Sequence, residues 1–310
     1  MLRDVFSDDP RESSASPSRS SDRQSTPSTV SATGPEDQRA TAPRCRPTER
    51  TAGPARPPET LDTPRAHYLG DRAFFLRDSE LHTLAEIGAF RAVAADDLAR
   101  LSYGGDSHRM ERETLRLKQQ SLLTEKVVRA DRKHALRLFA VTKKGARLAK
   151  QSSGFPEGQV FHHGFVKSRE AKHDADLYRM YHAEAERIAQ AGGRITRIVL
   201  DYELKRTLNR ELASLETELL SSETRERLAE RHGLTIVDGK IPVPDMRIEY
   251  DSAELERQHL DLELATRNYR PRALAEKAKA GFSFYAPRED APRLRRVLDQ
   301  REITAEILSL

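Results

Sequence analysis

The chain has almost no cysteine, no long apolar run and, over most of its length, no strong excess of either charge. Its single cysteine, Cys45, excludes internal disulfides and cysteine-based zinc sites, and it fits a reducing, cytoplasmic setting. No segment approaches the roughly 20 consecutive apolar residues that a membrane-spanning helix needs, so no membrane partner is expected. Met1–Arg11 carries charges and no apolar stretch, which a secretory leader would require. Residues 1–66 also lack any sustained apolar run, while holding ten of the sixteen prolines and ten serines. Such a composition cannot bury enough surface to offset its ordering entropy, and 1–66 is expected to be a disordered arm. The remainder is long enough for two small cores.

What charge there is lies in one place. The formal net charge is only +4, yet Ser107–Lys150 holds thirteen Lys/Arg against four Asp/Glu. A concentrated basic block can release phosphate counterions even in a nearly balanced chain. The pattern around it reads as three short helices separated by tight turns. Asp78 or Ser79 caps a helix from Glu80 to about Val93, Ala95–Tyr103 forms a second stopped by Gly104-Gly105, and Asp106 or Ser107 caps a third running to about Leu123. On the third helix, Arg109, Arg112, Arg116, Gln119 and Gln120 share one face, and Met110, Thr114, Leu117 and Ser121 share the opposite one. Arg and Gln are the side chains that pair bidentately with guanine and adenine edges in the major groove.

Two strand-like runs follow, Lys126–Ala130 and Ala135–Thr142, joined by a tip containing Arg132 and Lys133, and a further helix opens with Lys143-Lys144-Gly145. A basic hairpin tip suits backbone phosphates or the minor groove. This order, with a strand end running into "KKG", resembles the winged-helix family of transcription regulators over about residues 72–151. The DNA-contact candidates are Arg109, Arg112, Arg116, Gln120, Arg132, Lys133, Lys143 and Lys144, with double-stranded DNA as the partner.

Residues 152–167 are non-periodic and read as a linker; His162 and His163 are adjacent, so their side chains diverge and do not suggest a metal pair. A long amphipathic helix spans Ser168–Ala191, and a β-branched strand spans Arg194–Leu200. Leu204, Leu208, Leu212, Leu215 and Leu219 then recur at helical spacing, as a core stripe or as the coiled-coil seam of a homodimer. Ile241–Tyr250 reads as a strand containing Pro244-Asp245, and His259–Ala265 as another. In the latter, Asp261 and Glu263 share a face and Leu260, Leu262 and Leu264 take the other. If the acidic faces coincide across the hairpin, Asp245, Asp261 and Glu263 converge. Their repulsion would be relieved by Mg²⁺, which prefers oxygen ligands, or by Arg247, Arg267 or Lys277.

Pro244-Asp245, then Asp261-Leu262-Glu263, then a helix over Arg272–Ala280 and a strand over Phe282–Ala286 resemble the PD-(D/E)xK nuclease superfamily. The resemblance implies catalytic Asp245, Asp261 and Glu263 with a Mg²⁺ ion, and an acid from the first helix, Glu184 or Glu186. The superfamily's lysine position falls on Glu263, and Lys277 or Lys279 on the following helix is the substitute. The whole order resembles the replication-relaxation family of mobile-element proteins, over about residues 72–290. The expected architecture is therefore mixed. It comprises the arm 1–66, a winged helix-turn-helix domain 67–151, the linker 152–167, and an α/β restriction-endonuclease-like domain 168–310. Three functions follow: a DNA-binding protein of a plasmid or integrated element, acting in replication, transfer or transcription control; a Mg²⁺-dependent endonuclease; or an interaction module on a degenerate nuclease fold. The displaced lysine favours the first, non-catalytic reading.

Overall fold

A computed structural model describes residues 62–129, 135–151, 158–165, 170–214, 222–266, 269–303 and 305–310. The expected arm lies outside the described residues except for 62–66, which are built into the fold. Arg65–Leu69 (β1) and Arg72–Leu76 (β2) form an antiparallel hairpin around Gly70-Asp71, with Gly70 at a φ of +58. That left-handed angle costs glycine little, and sequence reasoning passed over the hairpin.

Asp62, just before it, caps the first helix from outside. Its two carboxylate oxygens accept the Asp78 and Ser79 backbone N–H groups at 2.7 and 3.0 Å, and the helix α1 runs Asp78–Ala89. The cap expected at Asp78 or Ser79 is thus supplied by a residue 16 positions upstream. Glu80 closes the turn by accepting the Arg77 N–H at 2.9 Å. A short strand Val93–Ala94 (β3) leads to α2 (Ala95–Leu101), and α3 (Ser107–Gln119) is capped by Asp106, which accepts the Arg109 N–H at 2.9 Å. The strands β4 (Leu123–Arg129) and β5 (Ala135–Val141) pair antiparallel, and β5 also pairs with β3. The hairpin tip with Arg132 and Lys133 lies outside the described residues. Thr142 then accepts the Gly145 N–H and starts α4 (Lys143–Gln151). Gly145 packs so tightly that a Cβ there would stand 2.2 Å from the Leu122 carbonyl oxygen, which gives "KKG" its glycine.

The second half is a five-stranded sheet covered on both faces. A 20-residue helix, α5 (Ala171–Gln190), precedes β6 (Arg194–Leu200). Next come α6 (Asp201–Ser214), α7 (Ser222–Arg231), β7 (Met246–Asp251), β8 (Arg257–Leu264), α8 (Pro271–Lys279), β9 (Ser283–Ala286), α9 (Ala291–Asp299) and β10 (Ile307–Ser309). The strand order is β10-β9-β8-β7-β6, with β6, β7 and β8 antiparallel and β8, β9 and β10 parallel. The strand expected from Ile241 starts only at Met246, because Pro242 and Pro244 have no N–H for a ladder. The leucine stripe is core: Leu204, Leu208 and Leu212 are buried with Val199, Leu228, Leu234 and Val243. It leaves no coiled-coil seam among the described residues, and Leu215 and Leu219 lie outside them. No helix of the described residues is long and apolar enough to cross a membrane.

One hydrophobic cluster runs through both halves, joining Leu84, Ile87, Phe90 and Leu98 to Leu177, Tyr178, Ile188, Ile248, Leu262 and Tyr285. The Phe90 and Tyr178 rings meet edge to face, with centroids 5.2 Å apart. Residues 158–165, expected as part of a linker, are packed against both halves. The His162 N–H donates to the Gly88 carbonyl at 2.7 Å, and the Gln159 side chain pairs with the Ile198 backbone in both directions at 3.0 Å. The buried His162 ring contacts the Tyr202 hydroxyl.

Burial, and after it the Arg91 charge, lower the His162 pKa from 6.5 to about 4. A group depressed on folding resists protonation, so its contribution is complete above 6.5 and declines as pH falls toward 4. Glu86, lying between Tyr178 and His182, also titrates low. Burial raises its pKa, but the adjacent His182, with help from His82 and Ser102, outweighs that and brings it to about 2. Its contribution is therefore lost in a lower window, from 4.5 toward 2. We expect urea midpoints of the wild type to fall between pH 6.5 and 4, and His162→Phe to lack that decline. Parallel profiles would remove His162 from this role.

Candidate functional site

Helix α3 carries two kinds of arginine. Glu113 is fully buried and Glu80 nearly so, and each needs a cation. Arg109 Nε donates to Glu113 Oε1 at 2.9 Å, and Arg116 Nε donates to Glu80. Tyr103 and Ser79 complete the Glu113 shell at 2.8 and 3.2 Å. Gln120 binds the Phe75 backbone, accepting its N–H and donating to its carbonyl, each at 3.2 Å. Arg109 and Arg116 thus pair with buried carboxylates and Gln120 with the β2 backbone, contacts that the base-reading roles expected of them did not include. The turn of the helix that leaves the protein presents His108, Arg112, Leu115 and Gln119.

Arg137 locks the β4–β5 hairpin to that helix. Its guanidinium donates to Glu111 Oε2 on α3 at 2.9 Å and to Glu125 Oε1 on β4 at 2.8 Å. The Arg137 hydrogen bonds, ahead of every other influence, hold the Glu111 carboxyl below its usual range and bring Glu125 to about 2. Lys126 and Arg129 on β4 are exposed, as are Lys143 and Lys144 at the start of α4.

The acids of the second half assemble differently from the expected cluster of three. One step beyond the Met246–Leu262 pair, Asp245 stands opposite Glu263, and its N–H donates to Glu263 Oε2 at 3.2 Å. Asp261 lies one step to the other side of that pair, opposite Arg247, in a two-pronged contact of 2.6 and 2.8 Å. That guanidinium also caps the His232 and Gly233 carbonyls, so Asp261 is neutralised locally. Asp245 and Glu263 form a pair, and Asp261 is not part of it.

The lysine arrives from α8. Lys277 Nζ donates to Glu263 Oε1 at 2.6 Å and to the Val243 carbonyl at 3.0 Å, and the Tyr269 hydroxyl donates to the same Oε1 at 2.5 Å. On the other side, Asp245 Oδ2 accepts the Leu264 N–H at 3.0 Å and meets His173 Nε2 of α5 at 3.2 Å. Burial, then the Asp245 charge, push the Glu263 carboxyl above its usual range, while Lys277 and Tyr269 pull it back. Neither candidate first-helix acid reaches this group. Glu184 accepts the Tyr285 hydroxyl at 2.5 Å, and Glu186 is exposed beside Gln190. His173, which sequence reasoning passed over, takes that place; a lone histidine in a helix gives no signal until the register of α5 is fixed.

The oxygen donors are of the kind Mg²⁺ takes, but their arrangement does not fit the ion. Both Glu263 oxygens already accept hydrogen bonds, and the Lys277 ammonium is paired with one of them. Among the described residues no group of three or more His, Cys, Asp or Glu side chains is placed to hold a metal. Comparison of the chain with protein-family models, with curated proteins and with solved structures gives no match.

Removing one member of a buried ion pair strands the other, at a cost of about 3–5 kcal/mol. We expect Lys277→Met to lose stability of that order in urea unfolding, and Lys277→Met with Glu263→Gln to lose much less. Equal losses in the single and double variants would show that the two side chains are not coupled.

Proposed function

We propose that this chain is a DNA-binding protein that grips duplex DNA through α3 and the β4–β5 hairpin in the manner of a winged helix. The observation carrying this reading is the Arg137 clamp. It holds a basic hairpin rigidly on the helix whose outward stripe contains Arg112 and Gln119. Resemblance to the replication-relaxation family supports a role in replication, transfer or transcription control of a mobile element. The second half then acts as a nuclease-like scaffold in which Lys277 stands in for a cation.

The test is duplex binding across a salt series. Arg112→Ala is expected to cost about 1–3 kcal/mol if it reads a base. Lys126→Ala with Arg129→Ala is expected to weaken binding to every sequence, each lost phosphate contact flattening the salt slope by about 0.9. Unchanged affinity in all three positions would remove the reading.

A second reading, a Mg²⁺-dependent endonuclease, is favoured by one observation: Asp245, Glu263 and Lys277 are brought together at one end of β7 and β8. Plasmid nicking with Mg²⁺ or Mn²⁺ decides between the two. We expect no cleavage, and metal-dependent nicking abolished by Asp245→Asn would establish the nuclease instead.

A further inference from the structure

The β1–β2 hairpin has an outward face that its role in the core does not explain. Phe74 and Leu76 point into the core, while Tyr68 and Phe75 are 63% and 62% exposed. The register pairs Ala66 with Phe75 and Tyr68 with Ala73, so both rings and two small residues share the outer face. Large aromatic side chains left in water on one small sheet mark a contact surface.

One flank of that face is basic. On one side β1 lies against α4, whose exposed residues include the cations Lys143, Lys144, Arg147 and Lys150, with no acidic residue in the helix. None of the four forms an ion pair with a carboxylate among the described residues. On the other side Gln120 ties β2 to the end of α3.

We propose that the β1–β2 face and α4 together bind a single strand of nucleic acid. The α4 cations track its phosphates, and Tyr68 and Phe75 stack on its bases. This pairing of a basic track with exposed rings is the chemistry of single-strand binding, since every base offers a π-face. A duplex keeps its bases stacked inside, beyond reach of rings on an open sheet face. The surface uses different residues from the outward stripe of α3, so the inference does not rest on the duplex reading.

The test uses the full chain, with fluorescence anisotropy of a labelled oligothymidine of roughly 20 nucleotides, a duplex and an RNA strand of equal length. Tyr68→Ala with Phe75→Ala is expected to weaken single-strand binding about tenfold or more, leaving duplex affinity and the melting temperature unchanged. Tyr68→Phe with Phe75→Tyr is expected to retain binding. Lys144→Ala with Arg147→Ala is expected to flatten the salt dependence for single strands. The RNA arm identifies which strand is preferred, and either preference agrees with the proposal. It is overturned if the wild type does not bind the oligonucleotide, or if loss of both rings leaves its affinity unchanged. It is also overturned if that loss weakens duplex and single strand equally. Loss of self-association in the ring variant, with strand binding intact, overturns it in favour of a second copy as the occupant. Arg112→Ala separates the two surfaces, since it is expected to weaken duplex binding alone.

Discussion

Helix α5 has to satisfy two sheets at once, and the rest of the structure is arranged around that demand. Its apolar positions, Leu177, Tyr178 and Ile188, belong to a cluster that includes α1 and α2 on one side and β6, β7 and β8 on the other. Its polar positions are committed as well. Tyr178 donates to Glu86 of α1 at 2.7 Å, Arg179 to Asp97 of α2 at 2.7 Å, and His173 reaches Asp245. Rotating such a helix by one residue would break contacts with both neighbours together. The halves are therefore one packed body, although their chain segments read as separate domains.

The buried charges follow a local rule. Several buried carboxylates are met by a cation or a hydroxyl: Glu113 by Arg109 and Tyr103, Asp261 by Arg247, Glu263 by Lys277, and Glu184 by Tyr285. Unpaired, each would shift its pKa or destabilise the fold by several kcal/mol. On α3, Arg109 and Arg116 are engaged by buried carboxylates, whereas Arg112 lies on the exposed side of the helix.

Much of the element order was legible because it rests on periodicity and local punctuation. The strand Arg194–Leu200 matches its alternation, the third helix begins at its Asp106 cap, and Gly145 marks the tight start of α4. What was not legible depends on contacts distant in sequence. The inward turn of Arg116 needs Glu80, 36 residues away, and the cap on α1 comes from Asp62. Asp261 was expected beside Asp245 and Glu263, but the strand register sets it opposite Arg247, a pairing that composition cannot specify. Two signals were present but unread. Arg109 and Glu113 have ion-pair spacing on a helix, and Gly70-Asp71 between apolar runs is a hairpin turn.

The position of Lys277 has a consequence for how the sheet is assembled. A divalent ion at the end of two strands is borrowed from solution, leaves on dilution and can be stripped by a chelator. An ammonium carried on α8 is tethered, and its effective concentration beside Glu263 is set by the chain between them rather than by any pool outside. The strand ends that meet there close on a charge the polypeptide brings with it.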